Sequence, residues 1–280
     1  TIDAGEFRDW LFEKGLKRSS VSRNLTIVKA VVNLCIQEEG LGINNPFAKV
    51  YIPSDEYHTK RHSLTIEQIK LLQQRWRQQD DSLRWLAALI SDTGMRLAEA
   101  VGLSKDDLKL TDAVPHVVIR KHPWRPLKTS GSERVIPLVG VALWASQRLS
   151  DTVSGEFLFP QYVDGILTNA NSASAALNKW MKTFLPKECV VHGMRHAFRD
   201  RLRAVNAPMD MIDQLGGWSL QSVGQSYGDG YSIEKLSRVL LLIVSWLSRI
   251  SSGLIQMQIN SFWHGCFTSP YTKGDLRSKS

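Results

Sequence analysis

Six side chains, taken in chain order, form a set able to break a phosphodiester bond without a metal ion. Arg96 lies in Thr93-Gly94-Met95-Arg96-Leu97-Ala98-Glu99, and Lys128 in a basic loop. His192 and Arg195 lie in His192-Gly193-Met194-Arg195-His196, and Trp218 then precedes Tyr227 by nine residues. A guanidinium forks onto non-bridging phosphate oxygens. An ammonium donates a proton to a departing alkoxide, and a phenol attacks phosphorus. No member is diagnostic alone; the order and the local contexts are.

Each context also has a plainer reading. Arg96 follows a glycine turn and starts a helix whose apolar face is Leu97, Ala98, Val101 and Leu103. Its guanidinium then lies near a helix N-terminus, where backbone N–H groups also favour an anion. A lone arginine there is more often simply solvated or salt-bridged. Glu99, one turn on, either holds Arg96 or is an exposed i,i+3 partner. His192 and Arg195 are three apart at a helix start, so they share a face, and His196 takes a structural or supporting role. Arg199, Arg201 and Arg203 make the same helix basic, a pattern that usually marks a solvated face.

Gly216-Gly217-Trp218 closes one helix, and Ser219 is placed to cap another. Trp218 offers an indole N–H on a large apolar plate, although a lone tryptophan is core by default. Tyr227 ends that next helix just before Gly228-Asp229-Gly230, which puts its hydroxyl on an exposed corner. Tyr231 is a rival phenol four residues on.

Between Ala113 and Ser132 there is no acid. The loop carries Arg120, Lys121, Arg125 and Lys128 with His116 and His122, and Trp124 interrupts them. Such a loop suits phosphate contact in a groove, with Trp124 stacking or packing; the plain reading is a solvated basic turn. Arg120, Lys121, Arg125 and Arg199 are the candidate DNA-binding residues.

The elements that must position these groups are mostly helical. In residues 1–52, Phe7, Trp10, Leu11 and Leu16 form one apolar set. Ser19 or Ser20 can cap a second helix carrying Val21, Leu25, Val28, Val31, Val32 and Cys35. Gly40 and Asn45-Pro46 stop it. A polar stretch over 53–63 reads as a linker, and Thr65-Ile66-Glu67-Gln68 as a capping-box start. An apolar helix from Leu83 to Ile90 leads into the Arg96 turn. His116–Arg120 and Arg134–Leu138 read as short strands around a turn-rich loop. Helices follow over roughly 140–149, 171–184, 192–205, 208–215, 219–226 and from 232 onward. The fold class expected is mainly α with a small antiparallel β-sheet, an α+β arrangement.

The 280 residues and the net charge of +8 suit one large domain plus a smaller one acting on a polyanion, against an ordinary basic enzyme surface. Cys35, Cys189 and Cys266 are too few and too scattered for a disulfide framework or a zinc site, which points to a reducing cytoplasm. Val239–Leu247 is apolar but flanked by Arg238 and Arg249 and too short to span a bilayer, so no membrane role is expected. No P-loop, no paired carboxylates at metal-ligand spacing and no Cys/His cluster is visible, so neither a cofactor nor a metal is expected.

These motifs resemble a known family. TGMRLAEAVGL, LKTSGSERVIPL, HGMRHAF and LGGWSLQSVGQSY are similar to the tyrosine recombinases of the phage-integrase type. The resemblance covers roughly 64–240, and residues 1–52 resemble the later half of the helical core-binding, DNA-binding domain that precedes it. It implies a catalytic domain over 64–245 and an atypical tail over 246–280. Arg96 and Arg195 would be the phosphate clamp and Lys128 the general acid. His192 would be the base or hydrogen-bond donor, Trp218 a position held by histidine or tryptophan, and Tyr227 the nucleophile. The nine-residue step from Trp218 matches the family spacing and favours Tyr227 over Tyr231. After the tyrosine, Leu236, Val239, Leu240 and Ile243 are expected to dock onto a neighbouring subunit.

The resemblance further implies a site-specific recombinase or integrase of a mobile element, bacterial or phage-encoded and cytoplasmic. It would act on double-stranded DNA as a homo-tetramer on paired sites, through a 3′-phosphotyrosyl intermediate. Two alternatives stand beside it. One is a DNA-binding remnant that no longer transfers strands, motivated by the partial first domain and the unusual tail. The other is a type IB topoisomerase-like enzyme with similar chemistry.

Overall fold

The computed structural model describes residues 2–54, 62–128, 132–218 and 230–251, with backbone alone at 2 and 248–251. The chain divides into two compact units, Thr1–Lys60 and Arg61–Ser280.

The first unit is built on α1 (Ile2–Glu13) and α2 (Arg18–Glu38). Leu11, Val21 and Leu25 are buried, and Phe7, Phe12, Leu16, Phe47, Val50 and Ile52 pack around them. Two sequence expectations need correcting here. The second helix starts at Arg18, with Lys17 at the cap and no side-chain cap, so Ser19 and Ser20 lie inside its first turn. The apolar set beyond Leu25 is not buried, and Val31 is 56% exposed. The reason is length. α1 has 12 residues and α2 has 21, so at 1.5 Å per residue α1 spans about 18 Å against about 32 Å and covers only part of its neighbour.

The second unit begins with α3 (Ile66–Gln79), whose first turn is closed by the expected capping box between Thr65 and Gln68. α4 (Ser82–Thr93) is buried from Trp85 to Thr93, which makes it the central helix of the unit. It ends at Gly94 in the left-handed conformation (φ 62°), where a Cβ would fall 2.2 Å from the Phe198 ring. The glycine therefore serves both the turn and a close helix approach. Polar Asp92 is tolerated inside because Arg201 Nη1 donates to it at 2.8 Å and the Val141 amide at 3.1 Å.

α5 (Leu97–Val101) follows, then a three-stranded antiparallel sheet in the order β1 (Leu108–Lys109), β2 (His116–Ile119) and β3 (Arg134–Pro137). β2 faces β3 with His116 opposite Pro137 and Ile119 opposite Arg134. β1 was not anticipated; two residues carry too little alternation to be read as a strand. α6 (Gly140–Thr152), α7 (Ala170–Met181), α8 (Val191–Ala204), α9 (Met209–Gly216) and α10 (Ile233–Ser251) complete the described elements. The architecture is mainly helical with this small sheet inserted. The helix expected over 219–226 lies outside the described residues.

α10 corrects another expectation. Leu236, Val239, Leu240 and Ile243, with Leu247, are buried in the core of their own unit rather than offered to a neighbour. Their spacing forms one apolar stripe, and the stripe meets β3 and α8 of the same chain. An intramolecular contact of this kind carries no association entropy cost. The helix also continues to Ser251, past residue 245 where the sequence changes character. Among the described residues no helix is long and apolar enough to cross a membrane.

Candidate active site

Arg96 occupies the N-cap of α5, so its backbone leaves the Gly94 turn extended while its side chain stays beside the first helical turn. Glu99 holds it twice. One carboxylate oxygen accepts from the Arg96 amide at 2.8 Å and the other from Nη1 at 2.6 Å. Glu99 is buried, which resolves the alternatives for this residue: it is a brace, not an exposed partner. Arg134 Nη2 donates to the same carboxylate at 2.8 Å. Burial alone would raise the Glu99 pKa, but the charges and hydrogen bonds of Arg134 and Arg96 outweigh it and hold the acid below its ordinary value.

Arg195 comes from the first turns of α8 and is 5% exposed. It donates to the Gly94 carbonyl through Nη1 and to the Gly216 carbonyl through Nη2, the latter at 2.6 Å. Burial first, and then the neighbouring charges of Arg96 and Arg134, push its pKa down to about 9. That value still leaves the guanidinium charged at neutral pH. Trp218 lies against it, with the Arg195 guanidinium carbon 4.4 Å from the ring centroid and that of Arg199 at 4.7 Å. The ring is also why position 216 is glycine: a Cβ there would fall 1.8 Å from it.

These groups converge on the C-terminal end of α9. Helices leave their last carbonyls without intrahelical partners. Here Arg134 donates to the Leu215 carbonyl at 2.9 Å, Arg195 to Gly216 at 2.6 Å and Arg96 to Gly217 at 3.0 Å. Three consecutive carbonyls thus receive three arginines from three different elements. Arg199 joins them through Asp213 at 3.2 Å. Four guanidiniums against the two carboxylates of Glu99 and Asp213 leave a local excess of positive charge suited to an anion.

His192 is exposed on the same turns of α8, with its ring edge-on to His196 at 4.9 Å. His192 and Arg195 line one cleft of about 250 Å³ together with Met95, Leu97, Asn171 and Ser174. Lys128 is exposed at the end of the described part of the β2–β3 loop. Tyr227 lies outside the described residues. The rival Tyr231 is described: its hydroxyl donates to Asp210 at 2.9 Å, and its amide and carbonyl pair with the Gln214 side chain at 2.8 and 3.1 Å.

The basic loop is not the free cationic arm its composition suggests. Asp107, fully buried, draws Arg120 Nε at 2.8 Å, His122 Nε2 at 2.9 Å and Arg125 Nη2 at 3.5 Å. Arg125 also donates to the carbonyls of Glu99 at 2.8 Å and Arg120 at 2.6 Å. At 1% exposure it cannot reach a phosphate, so its candidacy as a DNA-binding residue is withdrawn. The acid responsible lies outside the loop in sequence, which is why a local count of charges missed it. Trp124 packs rather than awaiting a base: it stacks on His122 at 4.5 Å and donates to the Gly102 carbonyl at 3.0 Å. Arg120 keeps a side chain 47% exposed, and Lys121 is exposed. Arg199 is partly covered by Trp218 and Asp213.

Sequence reasoning missed two residues that organise this region, Arg134 and Asp107. A charged residue opening the apolar run Val135-Ile136-Pro137-Leu138 was the available signal for Arg134.

A sequence model of the phage integrase family matches residues 62–231. Tyrosine recombinase XerD of Halalkalibacterium halodurans is 26% identical over 230 residues, covering 78% of this chain and 73% of that protein. Tyrosine recombinase XerC of Psychromonas ingrahamii is 22% identical over 227 residues, covering 78% and 72%. Among solved structures, the Tn1549 transposon integrase in complex with circular intermediate DNA aligns with a TM-score of 0.59 at 22% identity, covering 86% of this chain and 84% of that one. A lambda integrase dimer bound to a core site aligns with a TM-score of 0.57 at 15% identity, covering 82% and 81%. The structural likenesses carry the fold alone. With the family match spanning more than half of the sequence and holding Arg96, Arg195 and Trp218 at one helix end, the chain belongs to the phage integrase family.

Proposed function

We propose that this chain is a tyrosine site-specific recombinase that cleaves and rejoins double-stranded DNA through a 3′-phosphotyrosyl intermediate. The observation that carries the reading is the convergence of Arg96 and Arg195 on the end of α9, beside Trp218. In this reading the scissile phosphate is clamped by the two guanidiniums. The Tyr227 oxygen gives up its proton to a base and attacks phosphorus, the bond from phosphorus to the 5′ oxygen breaks, and the electron pair leaves on that oxygen. Lys128 supplies the proton that makes it a 5′-hydroxyl. His192 stands beside the phosphate as base or hydrogen-bond donor, and the Trp218 indole adds an N–H. Charge builds on the non-bridging oxygens in the transition state, so preorganised guanidiniums stabilise it more than the ground state. A 5′-hydroxyl of a partner duplex reverses the step, and the covalent link conserves the bond energy.

The assignment of Tyr227 is supported by Tyr231, whose hydroxyl is committed to Asp210. Burial, and then that carboxylate, push the Tyr231 phenol above its ordinary pKa, the wrong direction for a nucleophile. We further propose a tetramer on paired DNA sites, working in the cytoplasm of a bacterial host. A structural neighbour, lambda integrase, forms a tetramer on a Holliday junction (TM-score 0.55, 17% identity). The test is a nicked suicide duplex carrying the recombination site. A covalent protein–DNA adduct that Tyr227→Phe abolishes supports the reading. DNA binding without any adduct leaves a remnant instead, and relaxation of plasmid without site preference points to a topoisomerase.

A further inference from the structure

We propose that Arg134 is a positioning residue for the phosphate clamp, an inference that rests on the recombinase reading above. Its side chain is 4% exposed and, unlike that of Arg195, is not among those lining the cleft beside His192. Its three nitrogens reach three parts of the site. Nη2 bonds the Glu99 carboxylate, which grips Arg96 by backbone and side chain. Nε bonds the Leu215 carbonyl at 2.9 Å, one residue before the carbonyl that seats Arg195. Nη1 bonds the Ser132 carbonyl at 2.7 Å, at the end of the hairpin loop, while the Ser132 hydroxyl lies 3.3 Å from Arg96 Nη1.

Packing reinforces the hydrogen bonds. A Cβ at Gly217 would fall 2.6 Å from Arg134 Nη1, and Gly217 is in the left-handed conformation at φ 60°. The Gly216-Gly217 turn therefore fits against the Arg134 guanidinium on one side and the Trp218 ring on the other. Arg134 thus fixes both the brace of Arg96 and the helix end that Arg96 and Arg195 share. Lysine at this position keeps the charge but loses the planar fork, so it cannot hold the three acceptors at once.

The test uses Arg134→Lys and Arg134→Ala in the full chain on three suicide duplexes: a natural phosphodiester, a methylphosphonate and a 5′-thio leaving group at the scissile position. A methylphosphonate lacks one non-bridging negative oxygen and needs the clamp less; a thiolate leaves without a proton donor. Misplacing the clamp by about an ångström predicts adduct formation slowed roughly 100-fold on the phosphodiester. The defect shrinks to a few-fold on the methylphosphonate and persists on the 5′-thio substrate. Equal loss on all three, or rescue by sulfur alone, overturns the proposal. Arginine side-chain ¹⁵N spectra of the free protein provide a second arm independent of catalysis. Both variants are expected to shift the Arg96 and Arg195 signals, and unchanged signals overturn the positioning role. If wild type forms no adduct, the recombinase reading fails, and the spectra still decide whether Arg134 sets the other two arginines.

Discussion

Tyr231 donates its hydroxyl to Asp210 at 2.9 Å, a bond that commits the phenol lying four residues after Tyr227 in the sequence. Half-buried beside a carboxylate, the Tyr231 phenol is held above its ordinary pKa and stays neutral in the physiological range. Tyr231→Phe is expected to keep adduct formation within a few-fold of wild type and to cost about 1 kcal/mol of stability. Tyr227→Phe is expected to abolish the adduct. Gel analysis of the covalent complex, with urea melts of both variants, checks the pair; a lost adduct in Tyr231→Phe would reverse the assignment.

Arg125 is predicted to matter for folding and not for DNA. Removing it leaves Asp107 with fewer partners and strips the Glu99 carbonyl of its donor. Arg125→Ala should destabilise by roughly 3–5 kcal/mol, the range for breaking a buried pair. At temperatures where the variant remains folded, the slope of log affinity against log salt should match wild type. Arg120→Ala, with its more exposed side chain, should lower that slope by up to about one unit. A changed slope for Arg125→Ala would return it to the DNA-contact set.

Glu99 gives a pH-dependent prediction. Its pKa is lowered in the folded protein, so its contribution to stability is present above the ordinary glutamate range. That contribution is lost as pH falls through the folded value. Glu99→Gln should therefore be less stable than wild type at pH 7, by roughly 1–3 kcal/mol. The gap should narrow as pH drops below about 4.5. Denaturant titrations at several pH values measure this directly. A gap that is constant with pH would mean that the carboxylate charge contributes nothing to the brace.

The placement of α10 predicts a folding phenotype for its apolar stripe. Leu240 is fully buried in the chain's own core. Leu240→Ala should cost about 2–5 kcal/mol in the isolated chain, the range for a buried leucine truncation. The melting temperature should fall at every protein concentration by the same amount. A shift that appears only at high concentration would place this stripe at an interface between copies.

Several features were legible in the sequence because they depend on near neighbours. The Thr65–Gln68 capping box, the strands around the basic loop, the Gly94 stop before Arg96 and the helix starting beside His192 all follow from local spacing and turn chemistry. The proposed catalytic set rests on residue types in order and on their resemblance to a family. Burial, and the choice of partner for each charge, were not legible. Arg125 and Arg120 look alike in the sequence, yet Asp107, contributed by another segment, draws one inside and leaves the other half in solvent. Leu236 to Ile243 form the same amphipathic stripe whether the surface they meet belongs to their own chain or another. The three arginines on Leu215, Gly216 and Gly217 come from residues 96, 134 and 195. Local pattern fixes which face a helix presents; only the packed tertiary structure decides which distant carbonyl or carboxylate that face meets, because the Coulomb and desolvation terms that choose it act through space and not along the chain.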